Sequence, residues 1–207
     1  MPKYRMHKDP ESFVKKLGRV KKDAVRYLGL DLGSNCGVAV YDHVPGAVLL
    51  KENLHLFQWD LSPQGLESGA ARYVRLRAFL NAAAPDVLGY EDVKYSPPKD
   101  FFVNKKFGIP VLLSRVSKAA EVLGGMKVTV ATWAEEKGIV SNGFAIATIK
   151  KFATGSGRAN KEDMIAAANK LLGSSFDAAK YKTAGIDNVV DAAFVLLLLM
   201  RQTTAAE

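Results

Sequence analysis

The stretch YLGLDLGSNCGVAVY, Tyr27 to Tyr41, decides how the rest of this chain is read. Two apolar runs of β-favouring residues flank Gly33, Ser34, Asn35 and Gly37, which suit a tight turn, so the segment predicts a hairpin of two buried strands. Asp31 stands at the end of the first strand. A carboxylate among apolar neighbours costs several kcal/mol unless something positive sits against it, so Asp31 either faces water at an open strand end or helps to hold a cation. A single Asp-x-Gly does not choose between the two. Acids in comparable places elsewhere do.

Working outward, Ala47 to Phe57 reads as a third strand after the Pro45-Gly46 turn, and Gln64 to Ala83 as an amphipathic helix ended by Pro85. Asp86 to Tyr90 reads as a buried strand, with Glu91 and Asp92 at its C-terminal end. Val111 to Leu123 predicts a helix stopped by Gly124 and Gly125, Lys127 to Thr132 a strand, and Trp133 to Gly143 a loop or a short insertion. Helical spacing returns in Phe144 to Phe152, which ends on Lys150 and Lys151, and Asn160 is placed to cap a helix from Lys161 to Leu172. The last helix, Asp187 to Arg201, is apolar almost all round and therefore buried. Its first turns carry Asp187 and Asp191, which at i and i+4 share one face.

The chain has 207 residues, enough for one domain with a substantial core, and a formal charge of +8 that favours a polyanionic partner. Residues 1–26 hold nine Lys and Arg against three acids, so most of the excess lies in a basic leader, which is set apart from a domain spanning 27–202 and a tail of 203–207. Phe13, Leu17 and Val20 in that leader recur at helical spacing. The single cysteine, Cys36, excludes an internal disulfide and a cysteine zinc site, and the three histidines share no ligand spacing. No secretory signal is expected, and the apolar run Val189 to Met200 is shorter than the ~20 residues a bilayer span needs, so the expected place is the cytoplasm, away from membranes. Tyr95 to Gly108 interleaves Lys99, Lys105 and Lys106 with Tyr95, Phe101, Phe102 and Phe107, a texture that suits phosphates and exposed bases.

Asp31, Glu91, Asp187 and Asp191 thus stand at chain ends that could converge. Clustered carboxylates repel, and hard oxygen ligands select magnesium or manganese as the cation that would steady them. Two such ions can flank a phosphate, one at an attacking water and one at the leaving oxygen. A basic chain with an acidic metal pocket suggests a nuclease.

The order GLDLGSNCGVAVY, GYEDV, KKFATGSGRANKEDM and IDNVVDAAFVLLL resembles the RuvC-type Holliday junction resolvases of the RNase H-like superfamily, nearest to their phage-borne members, from about Tyr27 to Arg201. The resemblance implies an α/β fold, an RNase H-like mixed five-stranded sheet flanked by helices. It implies a homodimer that nicks two symmetric strands of branched DNA, a four-way junction, with Mg2+ or Mn2+; were the chain phage-encoded, it would act in the host cytoplasm. By position, Asp31, Glu91 and Asp191 match metal-binding acids, with Asp187 or the neutral Asn188 completing the set, and Lys161 matches a basic residue beside the scissile phosphate. Contacts to DNA are expected from Tyr95, Lys99, Phe101, Phe102, Lys105, Lys106, Lys150, Lys151 and Arg158. The stretch from Tyr95 to Phe102 stands where the family wedges an aromatic into the junction centre. Competing readings are a nuclease acting on forks, flaps or RNA/DNA hybrids, a non-catalytic nucleic-acid-binding module of the same fold, and an actin-like ATPase. The last would need a second phosphate loop that is not found.

Overall fold

The computed structural model describes residues 6–20, 22–50, 53–93, 102–103, 110–111, 118–180 and 185–204. The hairpin forms as its sequence predicts: β2 (Val25–Asp31) and β3 (Asn35–His43) pair antiparallel, with Tyr27 opposite Tyr41 and Asp31 opposite Gly37. Alternate side chains enter opposite faces. Leu28, Leu30, Val38 and Val40 join one apolar core, while Tyr27, Ala39 and Tyr41 join another on the far side of the sheet.

Around the hairpin lie β4 (Leu54–Asp60), antiparallel to β3, and β5 (Val87–Glu91), parallel to β2. Two edge strands complete a mixed sheet of six rather than five: β1 (Met6–His7), parallel to β4, and β8 (Val140–Phe144), parallel to β5. A separate short hairpin joins β6 (Phe102–Val103) and β7 (Pro110–Val111). One face of the sheet packs under α1 (Pro10–Leu17), α2 (Ala71–Ala83) and α3 (Lys118–Lys137); the other packs under α4 (Ile146–Thr154), α5 (Lys161–Leu172) and α6 (Ile186–Thr204).

Several expectations are corrected. Residues 6–17, set apart as leader, belong to the fold: Asp9 caps α1 by accepting from the Ser12 amide, and Phe13 is fully buried against Phe57, Trp59 and Phe79. The third strand begins at Leu54, because Val48, Leu49 and Leu50 stay exposed in a loop whose Leu50 amide donates to the Tyr41 hydroxyl. Helix α2 starts at Ala71, after Gly65 takes a positive φ and Leu66 stands fully in solvent.

The largest correction is α3. It runs unbroken through Gly124 and Gly125, so the strand expected over Lys127 to Thr132 is helix, and the loop expected over Trp133 to Gly143 is its last turns and β8. Met126, Val130, Trp133 and Ala134 recur at i, i+4, i+7 and i+8 and are all buried, whereas Val128 is 62% exposed, so the helical period prevails over local alternation. Gly125 is required by packing: a Cβ there would stand 2.5 Å from the Tyr73 hydroxyl on α2. Among the described residues no helix is long and apolar enough to cross a membrane.

Candidate active site

Two of the four acids arrive at one end of the sheet because of strand direction. β2 and β5 are parallel neighbours in register, Leu30 beside Tyr90, so their C-terminal residues Asp31 and Glu91 emerge side by side. α6 supplies the others. It is buried so closely on the sheet that glycine is required beneath it: a Cβ on Gly29 would lie 2.5 Å from the Ala192 carbonyl oxygen, and one on Gly37 2.0 Å from that of Asn188. The Gln58 amide donates to the Gly185 carbonyl at 3.0 Å and the Asn188 amide to the Asn35 carbonyl at 2.8 Å, fixing the start of the helix over the hairpin turn. Asp187 and Asp191 are thereby brought to the strand ends. Asn188 engages its amide with the turn, and Asp187 faces the cluster.

Electrostatics register the crowding. Burial, then the charges of Glu91, Asp191 and Asp187, hold the Asp31 carboxyl well above the usual carboxylate range against the opposing charge of Lys161. Burial and the charge of Asp191 push Glu91 up to about 7, with Lys150 and Lys161 opposing. Burial pushes Asp191 up to about 6; Lys161 and Lys150 oppose and Asp187 adds to it. Lys161 opens α5 behind Asn160, which caps the helix reciprocally with Asp163, and its ammonium pairs with the Asp187 carboxylate. Desolvation works to lower the Lys161 pKa, but the bond to Asp187 and the charges of Asp187, Asp191 and Asp31 raise it.

Acids held in this state lack positive charge, and carboxylate oxygens are the donors that magnesium and manganese prefer, so the donor set suits a hard divalent ion. Among the described residues no three acidic, histidine or cysteine side chains are gathered closely enough as folded to hold an ion. The acids interact through charge across the strand ends, and Asp187 is turned to Lys161.

The expected DNA contacts divide. Lys150 lies near the acids and donates to the Ala159 carbonyl at 2.7 Å, steadying the loop before α5. Lys151 and Arg158 are exposed on α4 and that loop. Tyr95, Lys99, Phe101, Lys105 and Lys106 lie outside the described residues, and for Phe102 only its backbone place in β6 is described.

Two cations beside the site were not singled out from sequence. Arg72 of α2 and Lys118 of α3 line an open cleft of about 460 Å³ with Asp31, Ser34, Asn35 and Asn188. Three arginines occur in Arg72 to Arg77, and their spacing alone does not tell which one faces the acids.

No family profile and no curated protein matches the sequence. Solved structures do. The chain is similar to Thermus thermophilus RuvC, with a TM-score of 0.54 at 19% identity over 84% of this chain and 92% of that one. Against T. thermophilus RuvC in complex with Holliday junction substrate, the TM-score is 0.57 at 17% identity, over 87% and 96%. Against the yeast mitochondrial Holliday junction resolvase it is 0.50 at 13% identity, over 90% and 82%. Carried by a shared sheet rather than by shared sequence, the likeness places this chain in the RuvC-type resolvase fold.

Proposed function

We propose that this chain is a metal-dependent endonuclease that resolves four-way DNA junctions by paired nicks, acting as a homodimer. The observation that carries this reading is the charge interaction of Asp31, Glu91 and Asp191 at one end of the sheet, with Lys161 set against Asp187, in the RuvC-type fold. Fold alone does not fix substrate, so the acids bear the enzymatic part of the argument and the resolvase neighbours the choice of DNA.

Asp31, Glu91, Asp187 and Asp191 would hold Mg2+ or Mn2+. When bound, such an ion lowers the pKa of a coordinated water and offsets negative charge on the phosphate. The remaining work falls to the chain's own groups. The carboxyls of Glu91 and Asp191, raised first by burial and then by neighbouring acids, would give up their protons to a bound cation, whose positive charge offsets both causes. Lys161, anchored by Asp187 at a capped helix start, is held where a cation stabilises charge gathering on the phosphate oxygens. Lys150 keeps the loop before α5 in place while lending a second positive charge to Glu91 and Asp191. Lys151, Arg158 and the basic aromatic stretch from Tyr95 to Lys106 would hold the strands through phosphates. Two copies are needed because a single site nicks one strand, whereas resolution requires two.

The test is incubation of the purified protein with a labelled immobile four-way junction, a matched duplex, a Y-fork and an RNA/DNA hybrid, each with Mg2+, with Mn2+ and with chelator. Paired symmetric nicks confined to the junction and to Mg2+ are expected. Equal cutting of forks or hybrids would replace the junction claim with a general structure-selective nuclease, and binding without cutting under either metal would end the enzymatic claim.

A further inference from the structure

The acidic cluster repels the polyanion it is meant to cut, so the cations around it decide how a strand is seated. Several of the chain's cations are already neutralised. Arg75 forks onto Glu67 and donates to the Ser62 carbonyl, Arg77 pairs with Glu136, Lys127 with Asp92, and Lys161 with Asp187. Arg72 and Lys118 differ. Among the described residues neither is in an ion pair, and both line the cleft that opens beside Asp31.

Arg72 is also held in place. Its Nε donates to the Gly69 carbonyl at 2.9 Å and its Nη1 to the Ser34 hydroxyl at 3.2 Å, which fixes the guanidinium over the β2–β3 turn that carries Asp31. Nη2 makes no hydrogen bond among the described residues, so donors of the fork remain for a ligand. A guanidinium set in one plane by two bonds is organised in advance for a tetrahedral oxyanion. Lys118 faces it from the first turn of α3, and the cleft between them has room for a sugar with its phosphate.

We propose that Arg72 and Lys118 bind a phosphodiester of the substrate strand next to the one cut at Asp31. The inference rests on the nuclease reading for the identity of the ligand, and its own content is the phosphate subsite. Arg72 is a binding residue here, with Ser34 and Gly69 positioning it.

The experiment measures affinity for the immobile four-way junction in chelator across a series of salt concentrations. Wild type is compared with Arg72→Gln, Lys118→Gln and, as a control on the same helix, Arg77→Gln. Loss of one phosphate contact should weaken binding about tenfold and make the slope of log affinity against log salt shallower by about 1, for Arg72→Gln and for Lys118→Gln alike. Arg77→Gln, whose partner is Glu136, should leave both unchanged. Retention of the wild-type slope by both folded variants overturns the proposal, and should Arg72→Gln fail to fold, Lys118→Gln decides by the same criterion. The two readings fail separately. Wild-type protein that binds with the expected slope changes yet never cuts with Mg2+ keeps the subsite and loses the nuclease, whereas protein that cuts junctions with unaltered slopes in the variants keeps the nuclease and loses the subsite.

Discussion

Glu91→Gln tests the crowding of carboxylates most directly, because it removes one charge with almost no change of shape. In the folded chain Glu91 is pushed up to about 7 from an ordinary 4.5, first by burial and then by the charge of Asp191. Each pKa unit corresponds to about 1.4 kcal/mol, so ionised Glu91 costs the fold at most about 3.5 kcal/mol. The sign follows from proton counts. Between the unfolded value and about 7 the native state binds more protons than the unfolded state, so stability falls as pH rises through that window and levels off above it. The glutamine carries no such penalty and also lifts the charge that raises Asp31. Thermal unfolding in chelator at about pH 8.5 should therefore find Glu91→Gln more stable than wild type. At about 2–4 °C per kcal/mol for a chain of this length, the gain is at most about 7–14 °C. Near pH 5 wild-type Glu91 is largely protonated and the gap should shrink toward zero. Added Mg2+ should raise the wild-type Tm at the higher pH and leave the variant nearly unmoved. A difference of the same size at both pH values, or a variant less stable at pH 8.5, would refute the charge argument.

Three other perturbations probe the site and the fold beneath it. Asp31→Asn should keep the wild-type junction affinity in chelator and lose cleavage with Mg2+, measured by gel shift and nicking on the same substrate; equal loss of both would make Asp31 structural. Gly37→Ala puts a Cβ 2.0 Å from the Asn188 carbonyl oxygen, so α6 must move off the hairpin, at a cost of about 1–3 kcal/mol or more in urea unfolding. The same variant should lose cleavage even where it folds, because Asp187 and Asp191 ride on that helix. Phe13→Ala should cost about 3–5 kcal/mol, since the ring is fully buried among Phe57, Trp59 and Phe79. Unchanged stability there would return residues 6–17 to the status of an appended leader.

Elements whose signals are local could be read before the fold was known. The Tyr27 to Tyr41 hairpin was legible because turn residues and β-favouring runs lie within fifteen residues of each other. The capped helix Lys161–Leu172 was legible because Asn160 and Asp163 announce its start, and the buried last helix because almost nothing polar interrupts it. The acids could be named for the same reason: each ends a strand or opens a helix that its own neighbours specify.

Features that depend on a distant partner emerged only from the folded chain. Lys127 to Thr132 alternates like a strand, yet it is helix because Met126, Val130, Trp133 and Ala134 face one core and Gly125 seats against Tyr73. Residues 6–17 read as part of a basic leader with helical spacing at Phe13 and Leu17, and only the fold shows that Phe13 and Met6–His7 find their places on α2 and β4. Arg72, Arg75 and Arg77 are equivalent in sequence; two meet acids and one meets Ser34 at the cleft. The Asn188 amide likewise meets the Asn35 carbonyl only because α6 seats closely over Gly37. A side chain's role here depends on which far segment lies across from it, and only the packed sheet and helices bring those segments together.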